Sequence, residues 1–265
     1  METIKRVKYQ KCPLLEVKYQ LNFPTILSID AEEPAKFQEL IRSDFPNYKM
    51  QRARESEIRV NIKDEEVNPI FHQNTIQKIH HFISEDGKWQ IILSKNELSI
   101  STLEYNQWEE MKRKFANPLQ KFIEIYNQRY FERVSLRYID GINRNELNLN
   151  NTKWKDLIKP HLLGCLAMDI NEHGNLQVKA NIMNVEITLD DISVKISSGL
   201  GTVNKIKKFE GESFILDFDY FKLGKVEFNE LEEITTRLHE KSTIFFRNSI
   251  TEKLHEAMVP EEIEV

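Results

Sequence analysis

Apolar and polar residues alternate over several short segments of the chain, with the two-residue period of a β-strand that has one buried face. The first segment spans 14–23. Its apolar positions are Leu15, Val17, Tyr19 and Leu21. Two further segments, 89–94 and 98–102, are separated by a few polar residues and predict a β-hairpin. The basic segment 133–140 predicts another strand. We expect these strands to cover one side of a core.

A spacing of three or four residues between apolar positions follows the hairpin and predicts a long helix from about Asn106. Its apolar stripe consists of Trp108, Met111, Phe115, Leu119, Phe122 and Tyr126. Asn106 followed by Glu109 resembles a capping box, which satisfies free amides at a helix start. Pro118 cannot donate a helical hydrogen bond, so the helix either kinks there or restarts with Asn117 as its cap.

A shorter helix is predicted between Asp30 and Pro46, because acidic residues and Pro34 are typical of a helix start and Pro46 ends it. Its apolar positions are Phe37, Leu40, Ile41 and Phe45. The next segment, 48–86, is less regular, with alternation around 58–62 and polar residues after it. An exposed insertion and a plain edge strand with a loop are both compatible with it, and the edge strand is favoured.

The second half predicts antiparallel strands followed by one long helix. The candidate strands are 162–170, 175–183, 185–196 with a break at Asp190-Asp191, and 213–223, in which Phe214, Leu216, Phe218 and Tyr220 share a face. Asn229 with Glu232 resembles a capping box, and helical spacing continues to about Met258, giving a helix about 43 Å long. Because such a helix outreaches a small sheet, part of it is expected to pack on the first half or on another subunit.

These elements predict an α+β fold in which antiparallel sheets in two halves pack with long helices. Strands precede a long helix in each half. Residues 1–142 form the first half, the polar segment 143–151 links the halves, and residues 152–265 form the second half. A chain of 265 residues is compatible with one large domain or two closely packed ones, and we expect the halves to pack as one unit.

Charge argues against a protein whose main task is to neutralise phosphates, since 37 basic residues face 42 acidic ones and the formal net charge is -5. No apolar run is long enough to span a bilayer and the first residues lack the apolar core of a signal peptide, so a cytoplasmic protein without membrane contact is expected. Cys12 and Cys165 have no metal-binding spacing, and the apolar surroundings of Cys165 are typical of a buried, inert thiol.

The sequence contains no recognised catalytic or cofactor motif. Gly199 and Gly201 lie close together, but the further residues of a phosphate loop are missing, so a turn between strands is favoured. The seven histidines form no pair at i, i+4, and no nucleophile elbow is present. We therefore assign no catalytic, cofactor-binding or metal-binding residue. Enzymatic activity stays open but is not favoured.

Four aspartates offer an alternative chemistry. Asp217 and Asp219 share one face of a strand, and Asp190 and Asp191 would join them if the strands were neighbours; such a cluster can hold Mg²⁺ for phosphodiester hydrolysis. The segment Glu16-Val17-Lys18 has the local spacing of some nucleases, although solvated strand faces are the favoured interpretation. A basic face would require the convergence of Lys5, Arg6, Lys8, Lys11, Lys112, Arg113, Lys114, Lys205, Lys207 and Lys208.

Five groups of residues carry a family resemblance. They are Pro13-Leu-Leu-Glu-Val, Phe45-Pro46, Trp89-Gln-Ile-Ile-Leu-Ser, Tyr105 with Trp108, and Arg133-Val-Ser-Leu-Arg-Tyr-Ile-Asp140. In these the chain resembles a sporadically distributed, uncharacterised microbial protein family of about this length. The patchy distribution of that family implies mobile genes such as phage-defence or toxin-antitoxin modules. The element order of the second half is similar to that of the export chaperone SecB, which pairs a sheet with a long helix and has relatives in toxin-antitoxin systems.

Together, the scaffold and the resemblance favour a non-enzymatic protein-binding accessory, sensor or neutralising subunit of a phage-defence or toxin-antitoxin module. The alternative is a metal-dependent nuclease or a nucleic-acid-binding module. Contacts to a partner are expected at Arg133 and Arg137, which share one face of their strand, and at His239 and Arg247 on the long helix. The expected partner is a protein encoded nearby; a homo-oligomer also stays open, no cofactor is expected, and nucleic acid is disfavoured.

Overall fold

The computed structural model describes residues 7–55, 58–63, 66–71, 75–168, 178, 180–203 and 211–262. Between residues 54 and 76 it describes the backbone only, and elsewhere in these ranges it describes the side chains as well. The strands are β1 (Val7–Tyr9), β2 (Leu14–Asn22), β3 (Asn47–Glu55), β4 (Ile58–Lys63), β5 (Glu66–Phe71), β6 (Thr75–Ile83), β7 (Trp89–Ser94), β8 (Glu97–Thr102), β9 (Tyr130–Asn143), β10 (Ile182–Leu189), β11 (Ile192–Gly201), β12 (Ser213–Glu227) and β13 (Pro260–Glu262). The α-helices are α1 (Leu27–Ala31), α2 (Ala35–Ile41), α3 (Trp108–Tyr126), α4 (Leu231–Ser249) and α5 (Glu252–Ala257).

One antiparallel sheet of nine strands takes strands from both halves of the sequence. Its order is β10-β11-β12-β9-β2-β8-β7-β6-β3, and β1-β13 and β4-β5 form two separate two-stranded ladders. β9 pairs with β2 on one side and with β12 on the other, so the first half continues into the second within the sheet. The structure confirms the α+β class with antiparallel strands. Instead of a sheet in each half, however, the long strand β9 joins both sets of strands into one.

The large sheet has two different faces, because successive side chains of a strand point to opposite sides. The covered face carries buried residues, including Val17, Tyr19, Leu21, Val134, Leu136, Tyr138, Phe214, Leu216, Phe218 and Tyr220. The polar face carries the alternate residues, including Lys18, Gln20, Arg133, Ser135, Arg137, Asp217 and Asp219. Val17 lies opposite Tyr138 on β9, and Tyr138 lies opposite Phe218 on β12, so the apolar rows are in register across the sheet.

Helices pack on the covered face through aromatic rings. The ring centroid of Phe115 on α3 lies 4.9 Å from that of Tyr19, and that of Phe122 lies 4.7 Å from that of Phe23. On α4, Phe245 lies 5.2 Å from Phe218. The predicted apolar stripe of the first long helix is therefore core. The helix is continuous through Pro118 and does not restart there, and its N-cap is Gln107 rather than Asn106.

The predicted helix from Asn229 to Met258 is wrong in its length. α4 ends at Ser249, and at 19 residues it is about 29 Å long. Ile250 adopts an extended conformation and forms an isolated β-bridge with Ile158, after which α5 begins with the Thr251 hydroxyl as its cap. The capping box also differs, since Glu227 and Glu230 form it.

The segment after residue 160 differs from its predicted strand. The short 3-10 helices Pro160–Leu162 and Gly164–Ala167 replace the described part of strand 162–170, and Cys165 is exposed rather than buried. The glycines predicted to form a turn, Gly199 and Gly201, instead lie within β11. A Cβ atom at Gly199 would stand 1.9 Å from the carbonyl oxygen of Asn181, so close backbone approach explains this glycine. Residues 175–177 and 179 of the predicted strand 175–183 lie outside the described residues, and its last two residues belong to β10.

The predicted strand 14–23 and hairpin 89–102 are confirmed as β2 and as β7 with β8. The break expected at Asp190-Asp191 is the turn between β10 and β11. In the less regular segment 48–86, β3 forms the terminal strand of the large sheet, next to β6. None of the described helices combines the length and the apolar composition that crossing a membrane requires.

Candidate functional sites

The polar face carries a row of ion pairs between β9 and β12. Arg133 donates from Nη2 to Oδ2 of Asp219 at 2.6 Å and from Nη1 to the Ser135 hydroxyl at 2.7 Å. Arg137 makes a two-pronged contact with Asp217, in which Nε lies 2.7 Å from Oδ1. The two arginines predicted as partner contacts are thus occupied within the sheet. Arg137 is the more accessible, with a side chain 46% exposed against 18% for Arg133.

Burial and charge act in opposite directions on Asp219. Burial raises the pKa of this carboxyl above its ordinary value, although Arg133 and Arg137 lower it. The burial effect prevails because only one oxygen is bonded: Oδ1 is buried and has no hydrogen-bond partner among the described residues. The row is therefore neutralised but not fully satisfied.

The other two predicted aspartates lie at the turn between β10 and β11 and bind α4. Asp190 pairs with Lys241 at 3.0 Å, and Asp191 pairs with Lys222 at 2.9 Å and with Arg237. The hydrogen bonds from Lys222 and Arg237 lower the pKa of Asp191 to about 2.

The four aspartates do not converge. Asp191 pairs with Lys222. Lys222 is an even number of residues from Phe218 and Tyr220 on β12, so it belongs to the covered-face side, whereas Asp217 and Asp219 lie on the polar face. Each of the four is paired with a cation, and within the described ranges no three His, Cys, Asp or Glu side chains form a group that could hold a metal ion. The arrangement gives no support to a magnesium site built from these residues.

The predicted basic residues are likewise dispersed where they are described. Lys112 pairs with Glu232 at 2.7 Å, Lys114 lies over the ring of Trp89, and Lys8 donates to Asn106. Lys5, Arg6, Lys205, Lys207 and Lys208 lie outside the described residues. No continuous basic face is formed by the described members of the set.

The remaining predicted contacts, His239 and Arg247, line a cavity on the covered side. The Nδ1 atom of His239 lies 3.0 Å from the hydroxyl of Tyr138, and its ring stacks on Trp108 at 5.5 Å. Arg247, one-quarter exposed, pairs with Glu252. Both side chains belong to α4, which packs across β9 and β12.

The cavity has a volume of about 640 Å³ and lies between α4, the covered faces of β9 and β12, and the ladder of β1 with β13. That ladder pairs the two ends of the described chain, Val7–Tyr9 with Pro260–Glu262, beside the cavity. Pockets of this size, with apolar walls and a few converging polar groups, are typical of small-molecule sites. The aromatic residues of the wall are Tyr9, Tyr105, Tyr138, Phe218, Tyr220 and Phe246.

Buried polar groups converge on this cavity. Asp140 is 2% exposed and Tyr220 is fully buried, and the Tyr220 hydroxyl has no hydrogen-bond partner among the described residues. The Tyr9 hydroxyl lies 2.8 Å from Nδ1 of His255. Burial raises the pKa of Tyr9 to about 12 and lowers the pKa of His255, so both groups are held neutral at pH 7.

Sequence reasoning did not identify Asp140, Tyr220, Tyr9 or His255. One sign was available, because Asp140 falls in the otherwise apolar row of β9 that also contains Leu136 and Ile142. A carboxylate at such a position needs a compensating group, which marks it for attention. The Tyr9 and His255 contact joins opposite ends of the chain, and no local pattern predicts it.

A third candidate site is the edge strand β10. It pairs with β11 on one side, and no other described strand pairs with it. Ile182 is 74% exposed and Val185 is 40% exposed.

Comparison with known protein-family models and with curated protein sequences finds no match to this chain.

Proposed function

We propose that this protein is a non-enzymatic binding component that engages a protein partner by strand addition to β10. The observation that carries the proposal is the exposed, eight-residue edge of the large sheet. An extended segment of a partner would gain backbone hydrogen bonds along such an edge and cover its apolar side chains.

The side chains of β10 favour an apolar partner strand. Its covered-face row consists of Met183, Val185, Ile187 and Leu189. Three of them, all except Val185, are partly buried and pack against the core, so the exposed Val185 belongs to a partly buried apolar row. The opposite side of β10 carries polar Asn184, Glu186 and Thr188 beside the exposed Ile182. A partner strand with alternating apolar residues matches this order.

The other edge of the sheet, β3, differs in the feature that matters for pairing. It carries exposed Lys49 and Arg52, and charged side chains of this kind protect a sheet edge from added strands. Strand β10, all of whose residues are described, has no basic residue. The contrast favours β10 over β3 as the edge that receives a partner.

The resemblance to a patchily distributed microbial family supports a partner encoded nearby. In that setting, this protein acts as an accessory, sensor or neutralising subunit of a phage-defence or toxin-antitoxin module. Its ion-paired aspartates favour this role over metal-dependent cleavage of nucleic acid. A second copy of this chain is the competing occupant of the edge, and the test below separates it from a different protein.

The proposal is tested by co-purifying the full chain with the product of the adjacent gene and measuring the affinity of the pair. The double variant Ile182→Lys/Val185→Lys is expected to weaken binding at least about tenfold, because two charges would have to be desolvated at the edge. A matched control is Leu27→Lys/Leu40→Lys, whose side chains are 76% and 42% exposed on α1 and α2.

Equal affinity of the two double variants would contradict strand addition at β10. Light scattering of the free chain at high concentration addresses self-association. Dimers that the β10 variant alone dissociates would assign the edge to a second copy, and a chain that stays monomeric and captures no neighbouring product would overturn the proposal.

A further inference from the structure

We infer that the cavity beside α4 is a binding site for a small, uncharged aromatic molecule that carries one hydrogen-bonding group. The inference goes beyond the proposed partner contact at β10 and is independent of it, since β10 does not line the cavity. Three features of the wall support it: the packing of its aromatic rings, the balance of its charges and a buried hydroxyl.

Two ring pairs in the wall favour an aromatic occupant. The ring centroids of Tyr9 and Phe246 lie 6.1 Å apart with an angle of 66° between the planes, and those of Tyr105 and Tyr138 lie 6.1 Å apart at 87°. All four residues line the cavity. A further ring can join such edge-to-face pairs at the preferred separation of about 4.5–7 Å, and it gains contacts that an aliphatic molecule of equal size does not.

Size and the distribution of burial suit a small molecule. A volume of about 640 Å³ lies within the usual range of ligand pockets, roughly 300–1,000 Å³. Among the lining residues, Phe218, Tyr220 and Ile250 are almost fully buried, whereas Lys8 and Lys159 are exposed. The cavity therefore offers apolar surface inside and hydrated groups at its rim.

The charges that line the cavity balance, which favours an uncharged occupant. Three lining residues are basic and three are acidic: Lys8, Lys159, Arg247, Asp140, Glu252 and Glu262. Arg247 pairs with Glu252, and Lys8 donates to Asn106. Asp140 and Glu262 are also engaged within the protein. A ligand with a net charge of either sign would meet as many like charges as opposite ones, and it would lose hydration without a matching gain.

The hydroxyl of Tyr220 supplies a polar contact for the ligand. Tyr220 lines the cavity and is fully buried, and its hydroxyl has no hydrogen-bond partner among the described residues. A phenolic hydroxyl can donate or accept, so a ligand N–H, O–H or carbonyl group can bond to it. Leaving a buried hydroxyl unbonded costs free energy, and a ligand that bonds to it removes this cost, whereas a hydrocarbon does not.

The decisive experiment is isothermal titration of the full chain with indole and four relatives of it. Indole is uncharged and aromatic and has one N–H donor, and we expect it to bind with a Kd below about 1 mM. N-methylindole, which lacks the donor, and cyclooctanol, which lacks the aromatic ring, should each bind about 3- to 10-fold more weakly. The anion indoleacetate and the cation tryptamine should bind at least about tenfold more weakly than indole.

Tyr220→Phe tests the hydroxyl separately from the rings. It should weaken indole binding about 3- to 10-fold and leave binding of N-methylindole unchanged, since only indole can bond to the hydroxyl. Without ligand, the variant should unfold at an equal or higher temperature, because it removes a hydroxyl that lacks a partner. A tyrosine whose hydroxyl has a structural role would show the opposite change in stability.

Tyr126→Phe provides the matched control, since Tyr126 is a half-buried tyrosine of α3 that does not line the cavity. It should leave indole affinity unchanged. Failure of indole to bind, binding that Tyr220→Phe does not weaken, or equal loss of indole and N-methylindole in that variant would overturn the assignment.

The ligand class has its own contradicting outcomes. Binding of cyclooctanol as tight as that of indole would contradict an aromatic occupant, and equally tight binding of indoleacetate or tryptamine would contradict an uncharged one. Ile182→Lys/Val185→Lys should bind indole normally, so failure of the β10 proposal and failure of this one are distinguishable.

Discussion

The polar and covered faces of β9 and β12 differ in how one pair of strands arranges its charged and polar side chains. On the polar face, Arg133 and Arg137 meet Asp219 and Asp217 across the strands, and the charges neutralise one another. On the covered face, the same strands bring Asp140 and Tyr220 to a cavity where the described protein leaves a hydroxyl unsatisfied. Charge is therefore balanced across the polar face, although one oxygen of Asp219 stays unbonded there, and the covered face holds its unbonded hydroxyl beside a cavity.

The largest expected effect compares alanine substitutions at two adjacent positions of β12, one on each face of the sheet. Phe214 is fully buried on the covered face and packs on Trp154, so Phe214→Ala should lower the free energy of unfolding by about 3–5 kcal/mol. Ile215→Ala, on the half-buried polar face, should cost less than half as much. Urea unfolding followed by circular dichroism measures both. Equal costs would show that the polar face is packed as a core.

A smaller effect concerns a buried histidine of the covered face. His80 donates from Nε2 to the carbonyl of Ile29 at 3.1 Å and accepts at Nδ1 from the Tyr48 hydroxyl at 2.9 Å, which defines its neutral tautomer. Burial lowers the pKa of His80 below 6.5. Its contribution to stability is thus present above pH 6.5 and is lost as the pH falls below that value, because the unfolded state takes up the proton first.

The measurement is unfolding free energy between pH 7 and pH 5. His80 alone can contribute a decline of at most about 1.4 kcal/mol per pH unit. His80→Gln should reduce the slope, whereas substitution of the exposed His161 should leave it unchanged. If the slope persists in the His80→Gln variant, other titrating groups cause the pH dependence of the unfolding free energy.

The smallest effect compares two ion-paired aspartates. The pKa of Asp191, which is exposed at the turn, is lowered to about 2, whereas burial raises that of Asp219. Carboxyl ¹³C shifts followed against pH should therefore move in Asp219 first as the solution is acidified. If both titrate together, burial does not separate the two pairs.

The two carboxyls also contribute to the free energy of unfolding with opposite dependence on pH. Asp191 stabilises the fold above pH 3.8, and this contribution is lost as the pH falls through about 2. Because the side chain is 41% exposed, Asp191→Asn should cost less than about 1 kcal/mol at pH 7. The raised pKa of Asp219 gives the reverse: its contribution is present below pH 3.8 and is lost as the carboxyl ionises.

Local patterns predict the elements whose environment repeats along the strand or helix. The alternation in β2 and β12 and the stripe of α3 identify their buried sides, because each residue meets the same core. They fail at Ile250, where a bridge to Ile158 interrupts helical spacing, and at Pro160–Leu162, where apolar composition is packed as a 3-10 helix. In both places, a contact distant in sequence overrides local preference.

The candidate sites divide in the same way. Arg133, Arg137, His239 and Arg247 were identified as polar residues on regular elements, but the sequence does not contain the distances that pair the first two with aspartates and place the others at a cavity. The Tyr9 and His255 contact depends on pairing of β1 with β13.

By itself, the sequence determined the α+β class, the buried face of each regular strand and the aromatic stripe of α3, because side-chain periodicity is a local property of backbone geometry. Only the tertiary structure decided that β9 joins the two halves in one sheet, that four aspartates are separated and paired, and that Asp140 and Tyr220 share a cavity. Strand partners and cavities arise from contacts between residues far apart in the chain, and periodicity carries no information about which distant residues meet.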